Sequence, residues 1–461
     1  AIFWMAAVAT LSMIIKFAEV LLAVKSARRR PGVAGASLDY LFFPGRSGQI
    51  GGAVFCLLCV CLSFVLGGMI QGGALAAAAR AVVPFPAGLL AFLLVAVTLL
   101  CVSGGQRRLV RVSARTVPLA CLLYLVLCGG VLVRFSGAVP AALSRILRSA
   151  FSLRPAAGGV GGYAALRIGA VRGLLSNEAG CGTAPMAHAT AEGAEPTRQG
   201  LFGAFEVFFD TVALCTLTGV TLLASGVPFV EADGGMQTVL AAFAAAWGPA
   251  GAYAAAGAVC LFAFSTVVAW SHYGRCALAR LRAAFSDSPI KKEPKTARPP
   301  LLRAKKAASL PPPVASSSAP PFAAAASPPL KPQKKNNGRL YPLFFALSVG
   351  AGGLFSARAV WVGCDLLLAV MTAVNVAAVL RRSGEVRDQV RASLSSQRSD
   401  STRRCEVSGS SSASARQAAS VIGGAKKAAS PSGDVTRTAR GTRAVSASAA
   451  ASGTQKYRGQ P

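Results

Sequence analysis

Apolar runs about as long as a bilayer-crossing helix alternate with short polar stretches through most of this chain. They run from Ala1 to Val24, Gly51 to about Ala79, Pro86 to Gly104, about Val117 to Val133, Leu201 to Ser225, Ala250 to about Tyr273, Leu340 to Phe355 and Ala359 to Leu380. An interrupted run lies between, at about Gly161 to Ala191. About 20 apolar residues cross the hydrocarbon core as a helix, so the pattern predicts an all-α integral membrane protein with about nine spans. Two stretches carry no such periodicity. Residues 283–338 are rich in Pro, Ala and Lys, and residues 382–461 in Ser, Ala and Arg. Neither can bury a core, so the organisation expected is a membrane core over 1–282, a disordered linker over 283–338, two last helices over 339–381 and a disordered tail over 382–461.

The interrupted run carries the chemistry. Between Leu166 and Ala189 it holds Arg167, Arg172, Ser176, Asn177 and Glu178, then Gly180, Gly182 and Pro185. Irregular backbone at membrane depth survives only where protein covers it or where it lines a cavity. A broken, polar helix in an apolar bundle is therefore a candidate binding segment, since unwound helices hold substrates and ions near the midplane of many transporters. The exposed N–H groups around Asn177 to Gly182 suit a carboxylate, and Gly180 and Gly182 let backbone approach a small ligand. Other polar residues also sit inside apolar runs. Lys16 and Glu19 share a helix face and are expected to form a structural ion pair. Asp210 needs a cation, a proton or an arginine; pairing with Arg167 or Arg172 is favoured over ion ligation, and Glu178 faces the same choice. His188 reads as a packed histidine rather than a proton relay.

Charge orients the bundle. The 461 residues carry Lys+Arg 48 against Asp+Glu 17, a formal net charge of +31, with 53% hydrophobic residues. Clusters at Lys25 to Arg30 and Arg107 to Arg115, two crossings apart, read as cytoplasmic loops. Arg145, Arg148 and Arg154 fall in a loop that the alternation places outside, and the acidic loop up to Trp247 is external too. This puts the first residue outside and the linker and tail inside a cell membrane. The basic excess is read as attraction to the lipid bilayer, not as a nucleic-acid face. Most of the 12 cysteines sit in apolar runs and read as small hydrophobes. The chain opens inside an apolar helix without Met, and is expected to be incomplete at its N-terminus. No P-loop, catalytic triad or zinc spacing appears, so an enzyme is not expected and no cofactor is called for; an ion gradient would supply the energy.

The stretch GLLSNEAGCGTAPMAHA resembles the GLFSNEAG-x-G-[ST]-AP-x-AHA signature of the alanine or glycine:cation symporter family, the sodium:alanine symporters. TRQGLFGAFEVFFDT, the opening FWM…KFAEV and LFAFSTVVAWSHYG are similar to the same family, so the likeness runs from Ala1 to about Leu380 apart from one insertion. The resemblance implies a leucine-transporter-like bundle of two inverted five-helix repeats, with the first core helix upstream of Ala1. It implies Gln71 and Trp270 as pocket residues, Trp270 limiting the substrate to a small neutral amino acid, alanine or glycine. A tryptophan near a span end is otherwise an interfacial anchor. It implies Ser265 and Thr266 as sodium ligands. Asp210, an acid in an apolar run, is a further candidate on its own chemistry, and a proton is the alternative coupling ion. Hydroxyls bonded back to their own helix are the plainer account of that pair. The sequence departs from the family at Gly68 and Gly73, where Asn is usual, at Leu175 for Phe, and at Val374 for Pro before Asn375. The glycines are expected to loosen hydrogen bonding near the pocket. The reading is thus a sodium-coupled symporter working by alternating access, with a transport-inactive membrane scaffold as the second possibility.

Overall fold

The computed structural model describes residues 1–151, 162–191, 193–229, 235–285, 340–354 and 357–397. The proposed linker and most of the proposed tail lie outside these, as do Arg154, Glu192, Glu231 and Asp233. Among the described residues every regular element is helical. Residues 1–393 form one compact unit.

Helix α1 covers Ile2–Arg29, and a short 3₁₀ turn, Ala36–Leu41, follows it. Helix α2 runs over Arg46–Val82, α3 over Ala87–Ser103, α4 over Gly105–Arg134 and α5 over Val139–Ala150. The broken segment is α6, Gly162–Asn177, and α7, Ala184–His188. Then come α8, Pro196–Ala224, α9, Met236–Trp247, α10, Pro249–Phe285, α11, Leu340–Gly352, and α12, Ala357–Arg381. Among the described residues, six helical stretches are long and apolar enough to cross a membrane by length and composition; α3, α9 and α11 are shorter apolar helices.

Several elements differ from the sequence expectation. The stretch with Arg111 and Arg115 is no loop but the first part of α4; arginine is a good helix former, and the helix runs on through Pro118. The supposed external loop after Val133 contains α5, an amphipathic helix with Arg145, Arg148, Leu143 and Leu147 exposed. The loop before Trp247 contains α9, whose Phe243 is buried in a small cluster with Leu127 and Val131 of α4. Beyond Arg381 the chain is helical again over 383–397, inside the segment expected to be a disordered tail. Val386 and Val390, one turn apart, pack on the main core and give this helix an apolar side. Glu385 lies 3.6 Å from Lys25 and 3.9 Å from Arg29, and Ser393 donates to Glu195 at 3.0 Å.

Two helices widen into π-helix, at Ser63–Ile70 within α2 and Phe208–Cys215 within α8. Such widenings are rare and often mark functional positions. The first ends at Gln71 and the second contains Asp210. The contact of α2 with α11 explains the two unusual glycines. A methyl group on Gly68 would overlap the Ser348 hydroxyl, one on Gly72 the Val349 carbonyl, and one on Gly73 would stand 3.1 Å from Gly352 O. Small residues let helix backbones approach closely inside a membrane. Gly68 and Gly73 therefore serve the crossing of α2 with α11.

Gly72→Val is expected to lower the midpoint of thermal unfolding in detergent, by the equivalent of about 1–3 kcal/mol for an overpacked contact. Gly88→Ala, where a methyl meets open space, should leave it unchanged. At Glu195, burial pushes the carboxyl up, but the N–H groups of Arg198 and Thr197 and the Ser393 hydroxyl outweigh it and hold it below the usual carboxylate range. A carboxyl depressed in the folded state adds stability above its unfolded value and loses it as pH falls through the folded one. Hydrogen exchange at the start of α8, corrected for intrinsic rates, should stay constant from neutral pH down to the ordinary glutamate range and then rise. Glu195→Ala should show the faster exchange already at neutral pH.

Candidate functional site

Helix α6 ends where Asn177 folds its side chain back, Oδ1 accepting the Ala179 N–H at 2.9 Å. Glu178 (φ 53°), Gly180 (φ 80°) and Gly182 (φ 71°) then take the left-handed conformation. Glycine enters it at no steric cost, and Glu178 enters it against its preference. Pro185 in the first turn of α7 restarts the helix where its missing N–H costs nothing.

The groups freed by this interruption are met largely by side chains from distant helices. Lys16 Nζ donates to the Asn177 carbonyl at 2.8 Å, and Glu19 Oε2 accepts the Gly182 N–H at 3.2 Å. Asn375 of α12 donates from Nδ2 to Gly180 O at 2.8 Å and to Glu19 Oε2 at 2.7 Å, and Tyr40 donates to its Oδ1 at 2.6 Å. Lys16 and Glu19 thus share a face as expected but make no ion pair with each other among the described residues. Each instead serves one lip of the break, because one turn of α1 matches the gap between the two half-helices.

The other side of the break faces a cavity of about 770 Å³. Ser176, Asn177, Glu178, Asp210, Ser265 and Thr266 all line it, so the structure brings six of the expected site residues together. Asp210 Oδ2 accepts from Ser176 Oγ at 2.9 Å and Thr211 Oγ1 at 3.1 Å, and Asn177 Nδ2 donates to Thr211 at 3.1 Å. Asp210 therefore has hydroxyl partners where an arginine was expected. Arg172 lies over the Trp361 ring at 4.9 Å, and Arg167 is exposed. Glu178 accepts from the Thr183 hydroxyl at 2.7 Å. Ser265 and Thr266 hydroxyls both donate one turn back, to Leu261 O at 2.9 Å and Phe262 O at 3.1 Å. Each oxygen keeps lone-pair capacity beyond that bond. His188 sits between Glu206 (2.8 Å) and Gln199 (2.9 Å) as a satisfied histidine.

Four expected pocket residues lie elsewhere. Gly180 and Gly182 turn toward Glu19 and Asn375. Gln71 and Trp270 do not line this cavity. Trp270 is 1% exposed, which excludes an interfacial anchor, and its ring stem packs where a methyl on Gly67 would stand. The sequence reading passed over Asn375, Tyr40 and Glu206 as site residues. Asn375 had a signal, being the one amide in the apolar run of α12, where a polar side chain requires a partner.

Comparison with known proteins places the chain among carriers. The model of the sodium:alanine symporter family matches residues 1–289. A transporter of Haemophilus influenzae is 34% identical over 283 residues, covering 60% of this chain and 62% of that protein. A sodium/alanine symporter of Methanococcus maripaludis is 32% identical over 283 residues, covering 59% and 62%. An amino-acid carrier protein of Bacillus subtilis is 33% identical over 276 residues, covering 59% and 58%. The chain spans about three fifths of the length of these curated relatives.

Asn375→Ala should leave Gly180 O, Glu19 Oε2 and the Tyr40 hydroxyl short of a partner, at about 1–3 kcal/mol for each buried group orphaned. The expected outcome is a lower unfolding midpoint and new proteolytic cleavage within 178–183, whereas Ser176→Ala, on the cavity side, should leave both near the parent values.

Proposed function

The chain belongs to the sodium:alanine symporter family, and on that premise we propose a secondary active transporter that couples sodium entry to symport of a small neutral amino acid, alanine or glycine. The family is one of transporters, not enzymes. The observation that carries the reading is the shared cavity: the interrupted helix, the Ser265–Thr266 pair and Asp210 all line one space.

In this reading sodium is held by oxygens of Ser265 and Thr266, a hard cation being suited by such ligands. Asp210 uses one carboxylate oxygen for both hydroxyl partners, which leaves Oδ1 for a cation, either sodium or the substrate ammonium. The Gly182 N–H is committed to Glu19, so the substrate carboxylate is assigned to the bound sodium. Ion and substrate then complete each other's site, and each raises the other's affinity by the same factor. A cavity of about 770 Å³ is several times larger than alanine. Selection for a small side chain is therefore assigned to the closed state, in which the walls draw in. Gln71 and Trp270 would act there through the α2 widening. The helices would form a leucine-transporter-like inverted-repeat bundle that rocks between outward and inward states. The chain's first residue would face outside, and the basic segments 283–338 and 398–461 the cytoplasm of a cell with this protein in its plasma membrane.

The test is uptake of labelled alanine and glycine by the purified protein in proteoliposomes, with and without an inward sodium gradient. Sodium-driven accumulation is expected, reduced by about tenfold or more in Ser265→Ala/Thr266→Ala, the equivalent of at least about 1.4 kcal/mol of lost binding. Uptake indifferent to both sodium and protons, or no uptake from well-folded protein, would overturn the reading.

A further inference from the structure

The carboxylate of Glu19 is the most deeply enclosed acid described. It is 0% exposed, and its Oε1 is buried without a hydrogen-bond partner. Gly182 N–H and Asn375 Nδ2 both donate to Oε2. Asn375 cannot turn to serve Oε1, because Tyr40 holds its oxygen and Gly180 O takes its second N–H. Lys16 stands one turn away on the same helix; its ammonium donates to the Asn177 carbonyl, and no bond from it to Glu19 is present among the described residues.

An unpaired carboxylate oxygen in a dry interior is costly, and a proton on it is the simplest remedy. The surroundings fit a proton better than a metal ion. The groups that touch the carboxylate are N–H donors, where a metal ion would need oxygens. We propose that Glu19 is a buried proton-binding site, protonated on Oε1 in this conformation, and that losing the proton loosens the 178–183 break.

The titratable groups that act on it are Lys16 on α1, Tyr40 on the 3₁₀ turn and Cys181 on the break; Cys56 and Cys59 of α2 act in turn on Tyr40, and Glu178 on Cys181. The charge of Lys16, the Gly182 N–H and the Asn375 amide favour the anion, while enclosure and the empty Oε1 favour the acid. These influences oppose each other, and both depend on the shape of the break. The N–H groups of the break and Asn375, tied to it through Gly180 O, support the anion only while the break is closed, and the enclosure that disfavours the anion lasts only as long. Opening forfeits those bonds but admits water to both oxygens, and for a carboxylate with one oxygen unpartnered the relief from enclosure is the larger effect, so the anion favours the looser break. The proposal does not rest on the transport reading, and its test involves no transport.

Cys181 is a probe placed inside the break, 2% exposed, its sulfur accepting from Thr372 at 3.5 Å. The protein in detergent is alkylated with N-ethylmaleimide across a pH series, and labelling at Cys181 is followed by peptide mass spectrometry. Dividing the rate by that of Glu19→Gln, which cannot ionise, cancels the reactivity of the thiolate itself. In parallel, infrared spectra are searched for a carboxylic-acid C=O band that Glu19→Gln removes. The expected result is such a band at low pH, disappearing as pH rises. The rate ratio should climb with it, by on the order of tenfold per pH unit for one proton over the linked range. Glu19→Asp guards against a folding defect in the amide variant and should keep the titration, shifted in midpoint. A rate ratio flat in pH, or an infrared band unchanged in Glu19→Gln, would overturn the proposal.

Discussion

An interrupted helix inside an apolar bundle must find partners for the backbone groups it releases, and much of this structure is arranged around that need. The break over 178–183 frees carbonyls at the end of α6 and N–H groups before α7. One turn of α1 answers both ends, with a donor for one and an acceptor for the other. The ammonium of Lys16 meets the carbonyl end, and the carboxyl oxygen Oε2 of Glu19 meets the N–H end. A pair that looks in the sequence like an internal salt bridge is thus two separate caps, set apart by the pitch of the helix that carries them.

The break has two sides with different tasks. On one, Glu19, Asn375 and Tyr40 hold glycine backbone in a closed net of hydrogen bonds. On the other, Ser176, Glu178 and Asp210 line the cavity through hydroxyl and carboxylate oxygens. The held side limits how far the cavity side can move without breaking buried bonds. The widenings in α2 and α8 add local give near Gln71 and Asp210, while the glycine-lined crossing of α2 on α11 keeps those helices close.

The spans and the break were legible because lipid imposes length and apolarity on helices and leaves few readings for Asn-Glu-Ala-Gly inside one. The choice of residues on the cavity was partly legible too, since the hydroxyl pair and Asp210 are costly in an apolar run. Their partners were not. Spacing along one helix suggested that Lys16 meets Glu19, yet backbone 161 residues away captures the lysine. Nothing local shows that Trp270 is buried rather than at an interface; its contact with the bare backbone of Gly67 is made by a distant helix. The helix over 383–397 was hidden by serines and arginines around it, although Val386 and Val390 mark its buried side.

The hydrogen bond from Asn375 to Gly180 spans 195 positions of sequence. At a synthesis rate of about 5–20 residues per second, roughly 10–40 s separate the emergence of the two residues. For that interval the interrupted helix is in place without the amide that closes it. The nascent chain must shelter exposed carbonyls with water or with the insertion machinery until α12 arrives. A helix made late is therefore the one that seals a flaw made early, and a chain stopped before Asn375 would present quality control with an open backbone at membrane depth.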